Sequence, residues 1–420
     1  MRVSTMALLR RPFAAENRDF GFAILGSFLK LGYEPDVTTF TTLIKGLFLD
    51  DKDRMVDEAI QLLAKMIDKG ITPNIVTYSS LLQGLCNFGR WKDAIDLINE
   101  MLDHKIFLNV ITFNILVDAF CKEGKVKEAE DIVKIMIQRN ISPNVVTYTA
   151  LVDGYCLVGQ IDKARKLFDS MPGRGLKLCI ITCNSLINGY CKNRRVEEAW
   201  RLFLEVPRKG LEYDVVTYNT MLHGLFGADR WADGVKVFKD MEAQQLIPNL
   251  VTYNTLLNGL CMNKQIAEAF SFLRVMEDKG VHPDLTTYII LIQGLCKDGK
   301  LEIARTLFSS MPSKGLQANV QIYTIIIGSL CQEGLVDEAK RLLVEMEKSG
   351  CVPDSAAYNV CIQGLLKRKL LVEAKTFLDE MYRRGFSLDS ATVSLLIDRL
   401  QDEGHDVIPL ETISKLLPKI

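Results

Sequence analysis

Apolar residues along this chain fall into two short helical stripes separated by a polar turn, and the pair then recurs. In residues 250–284 the first stripe is Tyr253, Leu256, Leu257, Leu260 and Cys261, at i, i+3, i+4, i+7 and i+8, which is one face of a helix. Thr252 precedes the stripe and is expected to be its N-cap, because a threonine hydroxyl can satisfy a free backbone amide. Met262, Asn263, Lys264 and Gln265 make a turn with one apolar residue. The second stripe is Ile266, Ala269, Phe270, Leu273 and Met276. Gly280 suits the left-handed position after a helix, and Pro283 forbids continuation. The predicted element is helix–turn–helix, with no strand pattern anywhere in the period.

The period is 35 residues. Cys86, Cys121, Cys156 and Cys191 keep that step, which passes over Phe226 and resumes at Cys261, Cys296 and Cys331. Ala94, Ala129, Ala164, Ala199, Ala269, Ala304, Ala339 and Ala374 keep it too, with Gly234 in the gap. So do Met101, Met136, Met171, Met241, Met276, Met311, Met346 and Met381, with Val206 as the exception. A fixed step of this size is the mark of a solenoid of stacked supersecondary units. At 420 residues a single core would be unusually large, so an array is also what length favours. Neither helix can leave its apolar face in water, and stacking buries it. Alanine at the repeated position allows close approach, and methionine fills irregular gaps. No C-x-x-C occurs and Cys179, Cys183, Cys351 and Cys361 lie off the series, so the cysteines are expected to be reduced core residues rather than zinc ligands or disulfides.

Charge narrows the function. Lys+Arg is 51 against Asp+Glu 52, a net charge of −1, which excludes a uniformly basic nucleic-acid binder but allows a local basic track. Lys122, Lys192, Lys297 and Lys367 recur at one unit position and are the candidates to face phosphates; an ordinary solvated face is the other reading. The only histidines are His104, His223, His282 and His405, so acid–base and metal chemistry have few candidates, and no metal or cofactor is expected. There is no run of 18 apolar residues, no P-loop, no G-x-G-x-x-G and no H-x-E with C-x-x-C. Acids such as Asp93, Glu128, Asp162, Glu197, Asp337 and Glu338 sit at second-helix starts, where they favour the helix dipole. The chain is therefore read as a non-enzyme.

The hexads Pro73-Asn74-Ile75-Val76-Thr77-Tyr78, Pro143-Asn144-Val145-Val146-Thr147-Tyr148, Pro248-Asn249-Leu250-Val251-Thr252-Tyr253 and Pro283-Asp284-Leu285-Thr286-Thr287-Tyr288, with blocks such as Gly84-Leu85-Cys86 and Gly294-Leu295-Cys296, resemble the pentatricopeptide repeat family of plant organelles. The uniform 35-residue units are similar to its P subclass and to restorer-of-fertility-like proteins. Counted from the residue after each Pro-Asn/Asp pair, the units are 37–74, 75–109, 110–144, 145–179, 180–214, 215–249, 250–284, 285–319, 320–354 and 355–389. The resemblance implies an all-α, right-handed superhelical solenoid of about ten 35-residue helix–turn–helix repeats. The first unit has three extra residues around Asp50–Met55, so a longer turn is expected there. Residues 20–36 match only a second helix, 390–400 only a first helix, and 390–420 are read as a partial repeat and cap. Residues 1–19 form an N-terminal segment in which Met1–Ala15 carries Arg2, Arg10 and Arg11 and no acid, as organellar transit peptides do; a shortened chain with no presequence is the alternative.

In the family a unit reads one RNA base through its fifth and last residues, and the resemblance carries those roles to this chain. The fifth residues are Thr41, Ser79, Asn114, Thr149, Asn184, Asn219, Asn254, Ile289, Thr324 and Asn359. The last residues are Asn74, Asn109, Asn144, Cys179, Asp214, Asn249, Asp284, Asn319, Asp354 and Asp389. Residues 2 and 5 lie three apart on one helix face, and the last residue stands just ahead of the next helix, so all three are expected to line one concave surface. Residue 2 is apolar in Val76, Ile111, Val146, Ile181, Val216 and Val251, and successive copies can clamp a base from both sides. A short Ser or Thr leaves room for a purine, and a longer Asn reaches a pyrimidine. Asp only accepts, suiting the ring N–H of G and U, whereas Asn offers a donor and suits A and C. The family code then gives 5′-A-A-(C/U)-?-U-(C/U)-U-?-G-U-3′. Cys179 and Ile289 depart from the pattern and leave two bases unassigned. Helix capping and turn chemistry are the ordinary roles of Asn and Asp beside Pro, but alternation among Asn, Ser and Thr at one fixed position is more than a cap requires.

The expected partner is single-stranded organellar RNA, mitochondrial or else plastid, with cleavage left to a separately recruited endonuclease and no membrane or small-molecule substrate. A protein-binding scaffold of the tetratricopeptide kind is the rival reading; it would need 34-residue units and a W-x2-L-G-x2-Y pattern, neither of which is present.

Overall fold

The computed structural model of the chain describes residues 35–48 and 54–403. The expected N-terminal segment 1–19, nearly all of the partial repeat 20–36, the extra residues 49–53 and the stretch 404–420 lie outside the described residues. The chain divides into two compact units, Met1–Glu212 and Tyr213–Ile420. Both consist of α-helices and short 3-10 turns, with no strand among the described residues.

In the first unit the helix pairs are α1 (Val37–Leu47) and α2 (Arg54–Asp68), α3 (Ile75–Asn87) and α4 (Trp91–Asp103), α5 (Val110–Lys122) and α6 (Val126–Gln138), α7 (Val145–Leu157) and α8 (Ile161–Ser170), α9 (Ile180–Lys192) and α10 (Val196–Glu205). In the second they are α11 (Val215–Gly227) and α12 (Trp231–Ala243), α13 (Leu250–Met262) and α14 (Ile266–Asp278), α15 (Leu285–Lys297) and α16 (Leu301–Ser310), α17 (Val320–Glu333) and α18 (Val336–Lys348), α19 (Ser355–Lys367) and α20 (Leu371–Arg383), followed by α21 (Ser390–Glu403). Within each unit every first helix packs on the first helix of the next repeat and on its own second helix, and most second helices also touch the first helix that follows. The interval from Leu47 to Arg54 is longer than that from Asn87 to Trp91, as the three extra residues require.

The first helices start earlier than their apolar stripes. Asn249, not Thr252, is the N-cap of α13: its Oδ1 accepts from the Thr252 N–H at 3.0 Å. Thr252 is the third helical residue, fully buried, and its Oγ1 lies 3.2 Å from the Asn249 amide, completing a capping box. The stripe hid this start because Val251 points away from the core. Asp36, Asn74, Asn109, Asn144, Asp214 and Asp284 make the same box with Thr39, Thr77, Thr112, Thr147, Thr217 and Thr287. Second helices end in one of two ways. Where Pro172, Pro207 or Pro312 follows the repeated Met or Val, the α-helix stops a turn early and a 3-10 turn closes on Gly175, Gly210 or Gly315 at φ 74°, 72° and 75°. Elsewhere the helix runs on, because no missing N–H breaks its ladder.

The 35-residue series are the core. Met101, Met136, Met171, Met241, Met276, Met311, Met346 and Met381 are all fully buried, as is Val206. Cys86, Cys121, Cys156, Cys261 and Cys331 are buried and free, and burial pushes the thiols of Cys121, Cys156 and Cys261 up to about 12. They are packing residues, not nucleophiles. All but Cys86, which faces the position of Ala119, fit against a glycine of the next first helix: a Cβ on Gly154 would lie 2.6 Å from Cys121 Sγ, and one on Gly294 would lie 2.5 Å from Cys261 Cβ. Phe226 breaks the cysteine series and Gly234 breaks the alanine series for one reason, since a Cβ on Gly234 would lie 2.8 Å from Phe226 Cζ. The larger ring is accommodated by the smaller neighbour.

Candidate nucleic-acid interface

In each unit the first helices leave an apolar residue uncovered. Val76, Ile111, Val146, Ile181, Val216 and Val251, the second residues of their repeats, are 49–64% exposed although each belongs to an otherwise apolar helix. Residue 2 lies on the face opposite the buried residues 4, 7, 8 and 11, so its exposure follows from helix geometry. In the first unit Val76 and Ile111 both line a groove of about 490 Å³. Ser79 and Asn109, the fifth and last residues of that repeat, line the same groove. Four side chains that the resemblance assigns to base contact are thus brought to one concavity.

Fifth and last residues meet elsewhere too. Asn114 Nδ2 donates to Asn144 Oδ1 at 3.2 Å, and Asn254 Nδ2 lies 3.4 Å from Asp284 Oδ1. Capping fixes which atom of the last residue is engaged: Oδ1 accepts from the third amide in Asn74, Asn109, Asn144, Asn249, Asp284, Asn319 and Asp354. The remaining terminal atom is Nδ2 in Asn, a donor, and Oδ2 in Asp, an acceptor. Capping therefore engages one terminal atom of each side chain and leaves the other out of the cap. Partial burial opposes ionisation of Asp284, but hydrogen bonds, led by that from the Thr287 amide and including one from Asn254, hold its carboxyl below the usual range, so it is an acceptor at neutral pH. Asp214 caps α11 in the second unit in the same way, and Asn184 is buried in the first.

Three repeats differ. Cys179 makes no side-chain cap bond to α9, and its Sγ lies 3.2 Å from Thr182 Oγ1. Ile289 is half-buried and offers no polar atom, while Asn319 caps α17 normally. Asn359 is turned inward: Nδ2 donates to Ser355 O at 2.9 Å, and Oδ1 accepts from the Asp389 amide at 3.0 Å.

Lys122, Lys192, Lys297 and Lys367 are all exposed in the last turns of first helices, where they also complement the helix dipole. Lys122 is paired with Asp118 at 2.6 Å. Sequence reasoning missed Lys45, which lines the groove of the first unit, and it missed the acids Asp118 and Asp153. Burial, then the charge of Asp118, raises the Asp153 carboxyl, with Lys192 and Lys122 pulling the other way. The charges of Lys122 and Lys192 are thus partly neutralised. Among the described residues no group of three or more His, Cys, Asp or Glu is placed to hold a metal, and no helix is long and apolar enough to cross a membrane.

A family model described as the PPR repeat family matches the chain in ten segments, from residues 35–87 to residues 353–401, that together leave no gap. A pentatricopeptide repeat-containing protein of Arabidopsis thaliana, named as mitochondrial, is 59% identical over 44 residues, which is 10% of this chain and 7% of that protein. The crystal structure of the pentatricopeptide repeat protein PPR10 in complex with an 18-nt psaJ RNA element matches with a TM-score of 0.72 at 22% identity, covering 95% of this chain and 58% of that one. PPR10 from maize without that description of RNA matches with a TM-score of 0.51 at 21% identity, over 95% of this chain and 66% of that one. The chain therefore spans 7% of the length of the Arabidopsis relative and 58% of the RNA-bound PPR10 chain.

Proposed function

The chain belongs to the PPR repeat family, and from that premise we propose that it binds single-stranded RNA sequence-selectively, one base to a repeat, in a plant organelle. The observation that carries the reading is the groove in which Val76, Ile111, Ser79 and Asn109 converge. The exposed aliphatic residues supply stacking, which any base accepts, and the polar pair that lines the same groove supplies discrimination. The RNA that this reading assigns is 5′-A-A-(C/U)-N-U-(C/U)-U-N-G-U-3′, with N opposite the repeats of Cys179 and Ile289. Occupancy of a transcript in this way is enough to shield an end, prevent pairing or position a separately recruited endonuclease; the chain itself cuts nothing. The mitochondrion is the proposed compartment, on the name of the Arabidopsis relative.

The test is binding of the purified chain to that RNA and to a shuffled RNA of equal composition, followed by fluorescence anisotropy at fixed salt. With about 1–3 kcal/mol for each base stacked or read, the assigned RNA should bind at least about tenfold more tightly. Equal affinities would refute sequence-selective reading, and cleavage products appearing with magnesium would refute the non-enzymatic role.

A further inference from the structure

We propose that the buried threonine at the third position of a repeat is a positioning residue for the repeat before it, fixing how that repeat's fifth residue faces its base. The inference rests on the reading that fifth and last residues contact the base, and it adds a third member to that pair.

Thr287 shows the arrangement in the second unit. Its side chain is fully buried, and its Oγ1 lies 2.8 Å from Asn254 Oδ1, across the repeat boundary, and 2.8 Å from Asp284 Oδ1. A hydroxyl has one hydrogen. Asp284 Oδ1 already accepts the Thr287 N–H at 2.8 Å and faces Asn254 Nδ2 at 3.4 Å. The assignment that satisfies every group sends the Thr287 hydroxyl hydrogen to Asn254 Oδ1 and an Asn254 N–H to Asp284. Turning the Asn254 amide over would set its carbonyl oxygen against a carboxylate, which is repulsive. One N–H of Asn254 and Oδ2 of Asp284 take no part in these bonds. They form the donor–acceptor pair that uracil matches with a carbonyl oxygen and its ring N–H, and that cytosine, with an unprotonated ring nitrogen, does not.

The first unit repeats the arrangement independently. Thr147 Oγ1 donates to Asn114 Oδ1 at 2.5 Å, and Asn144 Oδ1 accepts from the Thr147 amide at 3.1 Å and from Asn114 Nδ2 at 3.2 Å. Where the fifth residue is threonine the hydroxyls meet instead, Thr41 with Thr77 at 2.8 Å and Thr149 with Thr182 at 2.7 Å. Other repeats depart from the arrangement; opposite Ser79, the Thr112 hydroxyl donates to Asn109 O at 2.8 Å. Ile289 has nothing to orient, and the residue that would orient it is Ile322. Opposite Thr324 the third residue is Ala357, which has no hydroxyl to meet; the Thr324 hydroxyl donates to Val320 O at 2.8 Å, as that of Thr41 does to Val37 O at 2.7 Å. In the repeat of Asn219, Thr252 Oγ1 gives its bond to Asn249 at 3.0 Å, and Asn219 Oδ1 is buried with no partner among the described residues. Thr392 accepts from Gln363 Nε2 at 2.8 Å rather than engaging Asn359. Discrimination at the sixth and tenth bases should therefore be weaker than at the third and seventh.

The experiment compares the wild-type chain with Thr287→Val and Thr287→Ser. Affinities are measured for RNAs carrying U or C at the seventh base, and A or C at the second base as an internal control. Wild type should prefer U at the seventh base. Thr287→Val should reduce that U-to-C ratio about tenfold and leave the second-base ratio unchanged, and Thr287→Ser, which keeps the hydroxyl, should restore it. An unchanged seventh-base ratio in Thr287→Val, an equal fall at the second base, or failure of Ser to rescue would overturn the positioning role while leaving the base-reading pair intact. A wild-type chain indifferent to the seventh base would overturn the pair, and the positioning role with it.

Discussion

Replacing Ile111 by aspartate is expected to weaken binding of the assigned RNA about 100-fold or more, with no comparable change in the thermal unfolding of the chain. Ile111 is 57% exposed and contributes to the rim of the groove, so removing it costs the fold little packing. In the proposed arrangement its side chain separates the second base from the third, and both lose a stacking partner. At about 1–3 kcal/mol per base, two weakened contacts account for the expected loss. The new carboxylate adds repulsion from nearby phosphates, a contribution that salt screens. Ile111→Ser separates the two effects, because it removes stacking without adding charge and should retain most of the loss at high salt. A loss smaller than about threefold in Ile111→Asp, measured by anisotropy, would show that the exposed aliphatic residues do not clamp bases.

Gly154→Val is expected to destabilise the chain by about 2 kcal/mol or more, read as a fall in the urea midpoint. A Cβ at this position would lie 2.6 Å from Cys121 Sγ, 2.7 Å from its Cβ and 3.3 Å from its Cα. A rotamer change at Cys121 relieves the first contact but not the others, so α5 and α7 must move apart. The helix propensity gained on leaving glycine, less than about 1 kcal/mol, does not offset this. Each repeat is held mainly by its neighbours, so one opened interface loosens several turns of the array. Gly173→Ala is the control: a Cβ there meets nothing within 4 Å, and the midpoint should not fall. If both substitutions behave alike, the close glycine–cysteine contact does not hold the first helices together.

The arrangement of helices was readable because its signals are periodic. The methionine and alanine series mark positions that are buried in every repeat, and the family hexads place the starts of the first helices within a residue. The expectation that Thr252 is the cap fails because a cap and a third helical residue are both polar and lie three apart, and only the late start of the apolar stripe at Tyr253 favours Thr252. Val251 misleads that choice, being apolar yet on the exposed face. The partnership of Phe226 with Gly234 was present in the sequence as two gaps in two series, but their common cause is a contact in space. The bond from Thr287 to Asn254 spans 33 residues and joins two repeats. No pattern within a single repeat reveals it, although the coincidence of Ile289 with Ile322 is its trace.

The most direct test of one base per repeat is the base preference of Asn254→Thr, measured against four RNAs that differ only at the seventh base. With Asp284 unchanged as the acceptor, the shorter Thr makes room for a purine, so the preferred base should move from U to G while preferences at the other positions stay as they were. A chain that still prefers U at that position, or that changes its preference at several positions at once, would contradict the account.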